Sequence, residues 1–203
     1  MICEFILPYQ EEKLDLLENS IKIGIDHGAI DAINKGVKLD YALGDFDSIS
    51  ETNFNLIKSK VKNIVKLNTV KDDTDTEHAI NLFKDANKII IHGGLEGKRI
   101  SHLVANLNLI LKFPQVVIKD DKTLIYKLEP VMKLTDKSYK FISIFAKPGS
   151  VISLQGFKYN LTNYKFLEND NLCISNELIS EVGKIQFSGE GLIILEKDDN
   201  LLI

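Results

Sequence analysis

Short apolar runs alternate with stretches of helical spacing over about the first 120 residues. Runs that read as strands are Ile2–Leu7, Ile21–Ile25, Tyr41–Leu43, Asn63–Leu67, Lys88–His92 and Gln115–Lys119. Between them, Ala79, Leu82, Phe83 and Ala86 fall at i, i+3, i+4 and i+7, which predicts one buried face of a helix. Leu103, Leu107, Ile110 and Leu111 form a second such stripe. Strands and helices in turn imply crossover units and a mainly parallel sheet with helices on its faces.

The pattern changes near Lys119–Glu129, where Asp120-Asp121-Lys122 reads as an exposed turn. Beyond it lie short strand-like runs at Thr123–Lys127, Lys140–Phe145, Val151–Gln155, Lys184–Phe187 and Leu192–Leu195. Turn signals such as Lys147-Pro148-Gly149-Ser150 and Ser188-Gly189-Glu190-Gly191 separate them, and no helical period is evident. The expected organisation is an α/β domain over residues 1–122 followed by an all-β antiparallel sandwich over 123–203.

Acidic residues cluster just after the predicted strands. Asp26 follows Ile21–Ile25, Asp45 and Asp47 follow Tyr41–Leu43, and Asp72, Asp73 and Asp75 follow the strand ending near Leu67. In an open parallel sheet the carboxyl ends of the strands share one edge, and ligands bind there. Three stretches of chain would then bring acids to one crevice. Two like charges ~4 Å apart repel by about 4 kcal/mol at an effective dielectric of ~20. A compensating cation is therefore expected, and Mg2+ bridging carboxylates to a polyphosphate meets the requirement. Local roles compete with this reading: Thr74-x-x-Glu77 is also a capping box, and acids in a first turn suit the helix dipole.

The strand Lys88–His92 runs into Gly93-Gly94-Leu95-Glu96-Gly97-Lys98-Arg99 before Ser101 opens a helix. Such a turn lets backbone N–H groups approach an anion, and Arg99 can grip phosphate oxygens in a fork. The Gly-Lys-Ser/Thr ending of a P-loop is absent.

Composition narrows the field. The 203 residues carry a formal net charge of -4 and are 44% hydrophobic, which supports a full core and argues against a nucleic-acid protein with its basic stripes. Cys3 and Cys173 form neither a metal spacing nor a disulfide framework and read as free thiols of a reducing cytoplasm. The start, Met1 to Leu7, lacks the basic, long apolar character of a signal peptide, and no run approaches the ~20 residues of a membrane span. A cytoplasmic protein without membrane or nucleic-acid partners is expected.

Taken together, Gly24-Ile25-Asp26-His27-Gly28-Ala29, Gly44-Asp45-Phe46-Asp47-Ser48, Lys71-Asp72-Asp73-Thr74-Asp75-Thr76-Glu77 and the glycine turn with His102 resemble the thiamin pyrophosphokinase family. Leu161-Thr162-Asn163, Ile174-Ser175-Asn176-Glu177 and Gly191-Leu192-Ile193-Ile194 extend the resemblance over nearly the whole chain. It implies an N-terminal α/β domain, a C-terminal β-sandwich, a homodimer, and transfer of pyrophosphate from Mg·ATP to the thiamin hydroxyl with release of AMP. It also implies that Asp45, Asp47, Asp72 and Asp75 hold the metal, with Asp26 beside them in the catalytic group. Lys71, Thr74, Thr76, Gly93, Gly94, Arg99 and His102 would line the ATP side, and Ser175 and Asn176 would meet thiamin. Two departures stand out: Ser101 replaces the family's usual Asp before His102, and Phe5-Ile6-Leu7-Pro8-Tyr9-Gln10 lacks the usual glycine turn after the first strand. The same acids would also serve a Mg2+-dependent nucleotide phosphohydrolase, and the departures leave open a weakened relative that binds thiamin or nucleotide.

Overall fold

The computed structural model describes residues 1–8, 14–68, 72–95 and 99–198. The chain divides into two compact units, Met1–Leu109 with Gln115–Asp120, and Ile110–Pro114 with Asp121–Ile203.

The first unit is a parallel sheet of β1 (Ile2–Ile6), β2 (Ile21–Ile25), β3 (Tyr41–Gly44), β4 (Asn63–Lys66), β5 (Lys88–His92) and β6 (Val116–Lys119), in the order β4-β3-β2-β1-β5-β6. The order steps outward from β1 to β4 and then returns to place β5 on the other side of β1. The crevice at that reversal, outside the carboxyl ends of β1 and β5, is where open α/β sheets take ligands. Helices α1 (His27–Asn34), α2 (Glu51–Lys60), α3 (Asp75–Leu82) and α4 (Ile100–Lys112) make the connections. Ile6, Ala42 and the α1 residues Ala29, Ile30 and Ala32 pack into one core cluster with Phe46 and Ile57.

Every strand expected in this unit is present within a residue or so, which is the ordinary uncertainty of strand ends. The helices were less legible. The spacing pointed to a stripe through Ala79, Leu82, Phe83 and Ala86, but α3 stops at Leu82, which is exposed, and its buried face is Thr76, Ala79 and Ile80. Phe83 ends the helix and packs edge-on against Phe5 and Tyr41, with ring centroids 5.9 and 5.3 Å apart. The aromatic pair, rather than continued helix, accounts for its burial. α2 buries only Ile57, so it carries no stripe for periodicity to detect, and Ser50 caps it by accepting the Asn53 N–H at 3.3 Å.

The second unit is a sandwich of two antiparallel sheets. One is β7 (Thr123–Lys127), β13 (Gly191–Glu196) and β9 (Phe141–Ala146), in that order. The other is β11 (Leu161–Lys165), β10 (Val151–Gln155), β12 (Gly183–Ser188) and β8 (Val131–Leu134). β12 alternates buried and exposed positions without a break, as a strand with one wet face should. Ile142, Ile144, Ile193 and Leu195 share a core with Ile152, Leu154, Ile185 and Phe187, closed by Phe157, Phe166 and Cys173. Among the described residues, no helix is long and apolar enough to cross a membrane.

Candidate active site

The strands β2, β3 and β4 end on the same edge, and each delivers its acids there. Asp26 leaves β2, and its N–H donates to Leu43 O at 2.9 Å, locking it beside the end of β3. Asp45 follows Gly44 directly. Asp75 opens α3, whose cap is Thr74, with its side chain accepting the Glu77 N–H at 3.1 Å. The cap expected of this run is present, and it fixes the turn that presents Asp75. One carboxylate oxygen from each of Asp26, Asp45 and Asp75 lies within 4.8 Å of the others.

The local backbone is bent to achieve this. Asp26 has φ 46° and Phe46 has φ 57°. Left-handed geometry costs on the order of 1–3 kcal/mol for a non-glycine residue and persists where the surroundings over-determine it. Gly44 makes the approach possible: a Cβ there would lie 1.8 Å from Asp26 Oδ1. That same Oδ1 is the one buried side-chain oxygen or nitrogen among the described residues with no hydrogen-bond partner. Burial, a hydrogen bond shared with Asp75 and the Asp75 charge push the Asp26 carboxyl up to about 8, against a weaker opposing bond from the Phe46 N–H. A carboxyl so placed shares a proton with its neighbour when no cation is near.

The other predicted acids sit differently. Asp47 is exposed, and its N–H donates to Asp45 Oδ1 at 3.1 Å, an Asx turn that orients Asp45. Asp72 is exposed too, and neither Asp47 nor Asp72 belongs to the group of three. Asp73 is taken by His78, with Nδ1 3.0 Å from its Oδ2.

Next to the acids, a cavity of about 400 Å³ is lined by Leu7, Pro8, Thr76, Gly94, Leu95, Arg99, Ile100, His102, Leu103 and Asn106. Thr76, Gly94, Arg99 and His102 were expected from sequence. Gly93 and Gly94 both have positive φ, 86° and 77°. Asn106 was missed. It is buried on α4, one turn after Leu103, and its Nδ2 donates to Gly94 O at 3.1 Å. A polar residue interrupting an apolar stripe was the available signal. Lys71, Glu96, Gly97 and Lys98 lie outside the described residues.

Ser175 and Asn176 lie in the second unit. Ser175, at φ 55°, is exposed and donates its N–H to Ser143 Oγ at 3.0 Å. Asn176 is buried and internally satisfied: Nδ2 donates to Tyr159 O at 2.8 Å, and Oδ1 accepts from the Tyr159 and Glu177 N–H groups at 3.0 and 2.9 Å. With Lys158, Tyr159, Asn160, Leu161, Leu172, Cys173 and Ile174 it lines a cavity of about 590 Å³. Tyr159, Leu172 and Ile174 expose apolar surface there, a feature that periodicity did not flag.

Known proteins share both units. A model described as thiamin pyrophosphokinase, catalytic domain, matches residues 14–123, and one described as thiamin pyrophosphokinase, vitamin B1 binding domain, matches residues 131–192. The chain belongs to the thiamin pyrophosphokinase family. A thiamine pyrophosphokinase of Bacillus subtilis (strain 168) is 30% identical over 191 residues, covering 90% of this chain and 89% of that protein. The crystal structure of a thiamine pyrophosphokinase from Bacillus subtilis superposes with a TM-score of 0.84 at 26% identity, covering 98% of this chain and all (100%) of the other. The thiamin pyrophosphokinase from Geobacillus thermodenitrificans gives 0.85 at 28% identity with 100% of each chain covered. The acid group and the glycine turn both lie in or beside the segment matched to the family's catalytic domain, and Ser175 and Asn176 in that matched to its vitamin-binding domain.

Proposed function

We propose that the chain transfers the β,γ-pyrophosphoryl group of Mg·ATP to the hydroxyl of thiamin, giving thiamin diphosphate and AMP. The observation that carries this reading is the convergence of Asp26, Asp45 and Asp75 at the carboxyl edge of the sheet in a chain that matches the family over almost its whole length. Residues 1–122 serve the nucleotide and residues 123–203 the thiamin.

The residues fit Mg2+. The donor set is all hard oxygen, and one of those oxygens, Asp26 Oδ1, is buried without a partner. Asp45 and Asp75 would hold the ion with Asp26, and the exposed Asp47 and Asp72 would complete the set around the polyphosphate. Bound there, the metal supplies neutralisation of phosphate charge. The chain does the rest by position, since phosphoryl transfer asks for alignment more than covalent help. The Gly93-Gly94 turn offers its backbone to phosphate, with Arg99 beside it as a cationic fork. The cavity walls from Leu7, Pro8 and Leu103 suit the apolar parts of the nucleotide, and Thr76 and His102 its polar edge. Ser175, exposed between Ile174 and Asn176 of the 590 Å³ cavity, would meet thiamin, while Asn176 shapes that wall through its bonds to Tyr159. A homodimer in the cytoplasm completes the reading, and the buried free thiols Cys3 and Cys173 suit such a compartment.

The test is a coupled AMP assay with ATP and Mg2+, run with and without thiamin. AMP formed only with thiamin supports the reading. Phosphate or pyrophosphate released without thiamin would mark a phosphohydrolase, and binding without turnover a non-catalytic relative. Asp47→Asn is expected to abolish turnover with the fold intact, and near-normal activity would remove Asp47 from the metal set. Light scattering on the purified protein tests the dimer.

A further inference from the structure

The link from β1 to β2 is a parallel crossover, a connection that often carries a helix. Its described part, Leu14–Ser20, contains none. It forms a strap instead, with Leu14 and Leu16 packed against the core cluster that holds Ile6. Glu4 shares a sheet face with Ile6, two residues away. A strap without a helix leaves backbone N–H groups needing partners.

Glu4 provides one. It is fully buried in the middle of β1, a position that ordinarily takes an apolar residue. Oε2 accepts the Leu17 N–H at 3.0 Å and the Ser20 hydroxyl, and Oε1 pairs with His92 Nε2 at 2.8 Å, His92 being 1% exposed. Burial pushes the Glu4 carboxyl up, but the bonds from His92, Ser20 and Leu17 outweigh it and hold it below the usual range. Two ties flank this centre: Lys119 Nζ to Asp15 Oδ2 at 3.0 Å, and Lys22 Nζ to Leu17 O at 2.9 Å.

The other end of the pair reaches the cavity. His92 is the last residue of β5, directly before Gly93-Gly94. Its carbonyl accepts the Leu7 N–H at 3.0 Å, and Leu7 and Gly94 both line the 400 Å³ cavity. We infer that Glu4 and His92 form a positioning pair that clamps the strap to the sheet and, through the end of β5, sets the Leu7–Gly94 wall of the nucleotide cavity. The nucleotide half of this rests on the function proposed above; the clamp does not.

Four variants test it: Glu4→Ala, Glu4→Gln, Ser20→Ala and the apolar double substitution Glu4→Val with His92→Phe. Amide hydrogen exchange at Leu17 reads the clamp, and calorimetry with Mg2+ and α,β-methylene-ATP reads the cavity. Glu4→Ala is expected to speed Leu17 exchange and weaken analogue binding, each about tenfold, with kcat changed by less than about twofold and the thiamin KM unmoved. Glu4→Gln keeps one acceptor oxygen for the Leu17 N–H and the Ser20 hydroxyl and turns an amide NH2 toward His92, so Leu17 exchange is expected to stay near wild type. Ser20→Ala, which leaves the carboxylate in place, falls between and keeps the test open should Glu4→Ala fail to fold. The double variant regains thermal stability, as apolar replacements of buried pairs often do, but not the slow exchange or the affinity. Unchanged Leu17 exchange in both Glu4→Ala and Ser20→Ala overturns the clamp. Fast exchange with unchanged analogue affinity, or affinity restored by the double variant, overturns the positioning role. A wild type that binds no analogue sinks the functional reading and the positioning role with it, while the exchange rates still judge the clamp.

Discussion

Asp75→Asn separates the electrostatics of the acid group from its packing. Two full charges 4.8 Å apart, the spread of the group, repel by about 3.5 kcal/mol at an effective dielectric of ~20. Both side chains are half-buried, so solvent screening reduces the usable part to about 1–2 kcal/mol. In the absence of metal the wild type relieves the strain by keeping a proton on Asp26, whose folded pKa of about 8 stands above the ordinary 3.8 of an aspartate. A raised folded pKa means that the folded state binds the proton more tightly. The stabilisation is therefore complete below pH ~4 and is lost as pH rises through about 8. Burial keeps part of the shift when Asp75 is neutral, but the bond and the charge from Asp75 are gone. Melting in EDTA from pH 5 to 9 is the assay. At pH 8.5 the variant is expected to melt about 3–6 °C above wild type, at roughly 2–4 °C per kcal/mol for a chain of this size. At pH 5 the two should nearly coincide. Adding Mg2+ at pH 8.5 should raise the wild-type melting temperature and leave the variant flat. A variant no more stable than wild type at pH 8.5, or one that keeps the Mg2+ response, would refute the idea that these carboxylates form one charge-frustrated cluster awaiting a cation.

Gly44→Ala places a methyl group 1.8 Å from Asp26 Oδ1, so kcat/KM should fall by at least about 100-fold, with circular dichroism unchanged. Asn106→Leu removes the bond to Gly94 O and is expected to raise the KM for ATP about tenfold with kcat little affected, read from initial rates. Thr74→Ala loses the α3 cap and should cost about 1 kcal/mol of stability by urea titration, because the Glu77 N–H loses its acceptor.

Much of the fold was legible because strands in a parallel sheet are continuous apolar runs, and Ile89–Ile91 or Val116–Ile118 can hardly be read otherwise. The division into α/β and all-β parts was legible from the same source, through the change of period near Asp120. Two of the elements that escaped bury few side chains. α2 rests on Ile57 and its cap, and β11 exposes Thr162, Asn163 and Lys165, so neither imprints a period on the sequence. The stripe at 79–86 erred for the converse reason: Phe83 is apolar because it meets Phe5 and Tyr41 beyond the helix end, and spacing alone does not distinguish that from one more helical position.

The acid cluster raises a sharper point about what sequence carries. That aspartates follow three strands is visible in one dimension, but their number does not say which converge. Selection among them is made by the backbone: positive φ at Asp26 and Phe46, and the missing side chain at Gly44, bring Asp26 to Asp45 and Asp75, while the Asx turn uses Asp47's own N–H to orient its neighbour. Glu4 argues the same way from the opposite direction. In sequence it is a flaw in an apolar strand, and the irregular strap above it together with His92 on β5 explains why a buried carboxylate is tolerated there. In both places the rule broken locally, a charge where periodicity wants none or a left-handed φ where sterics resist it, is offset by a contact tens of residues away. Such breaches are where a sequence reading should look first for chemistry, because a fold has no reason to keep an uncompensated one.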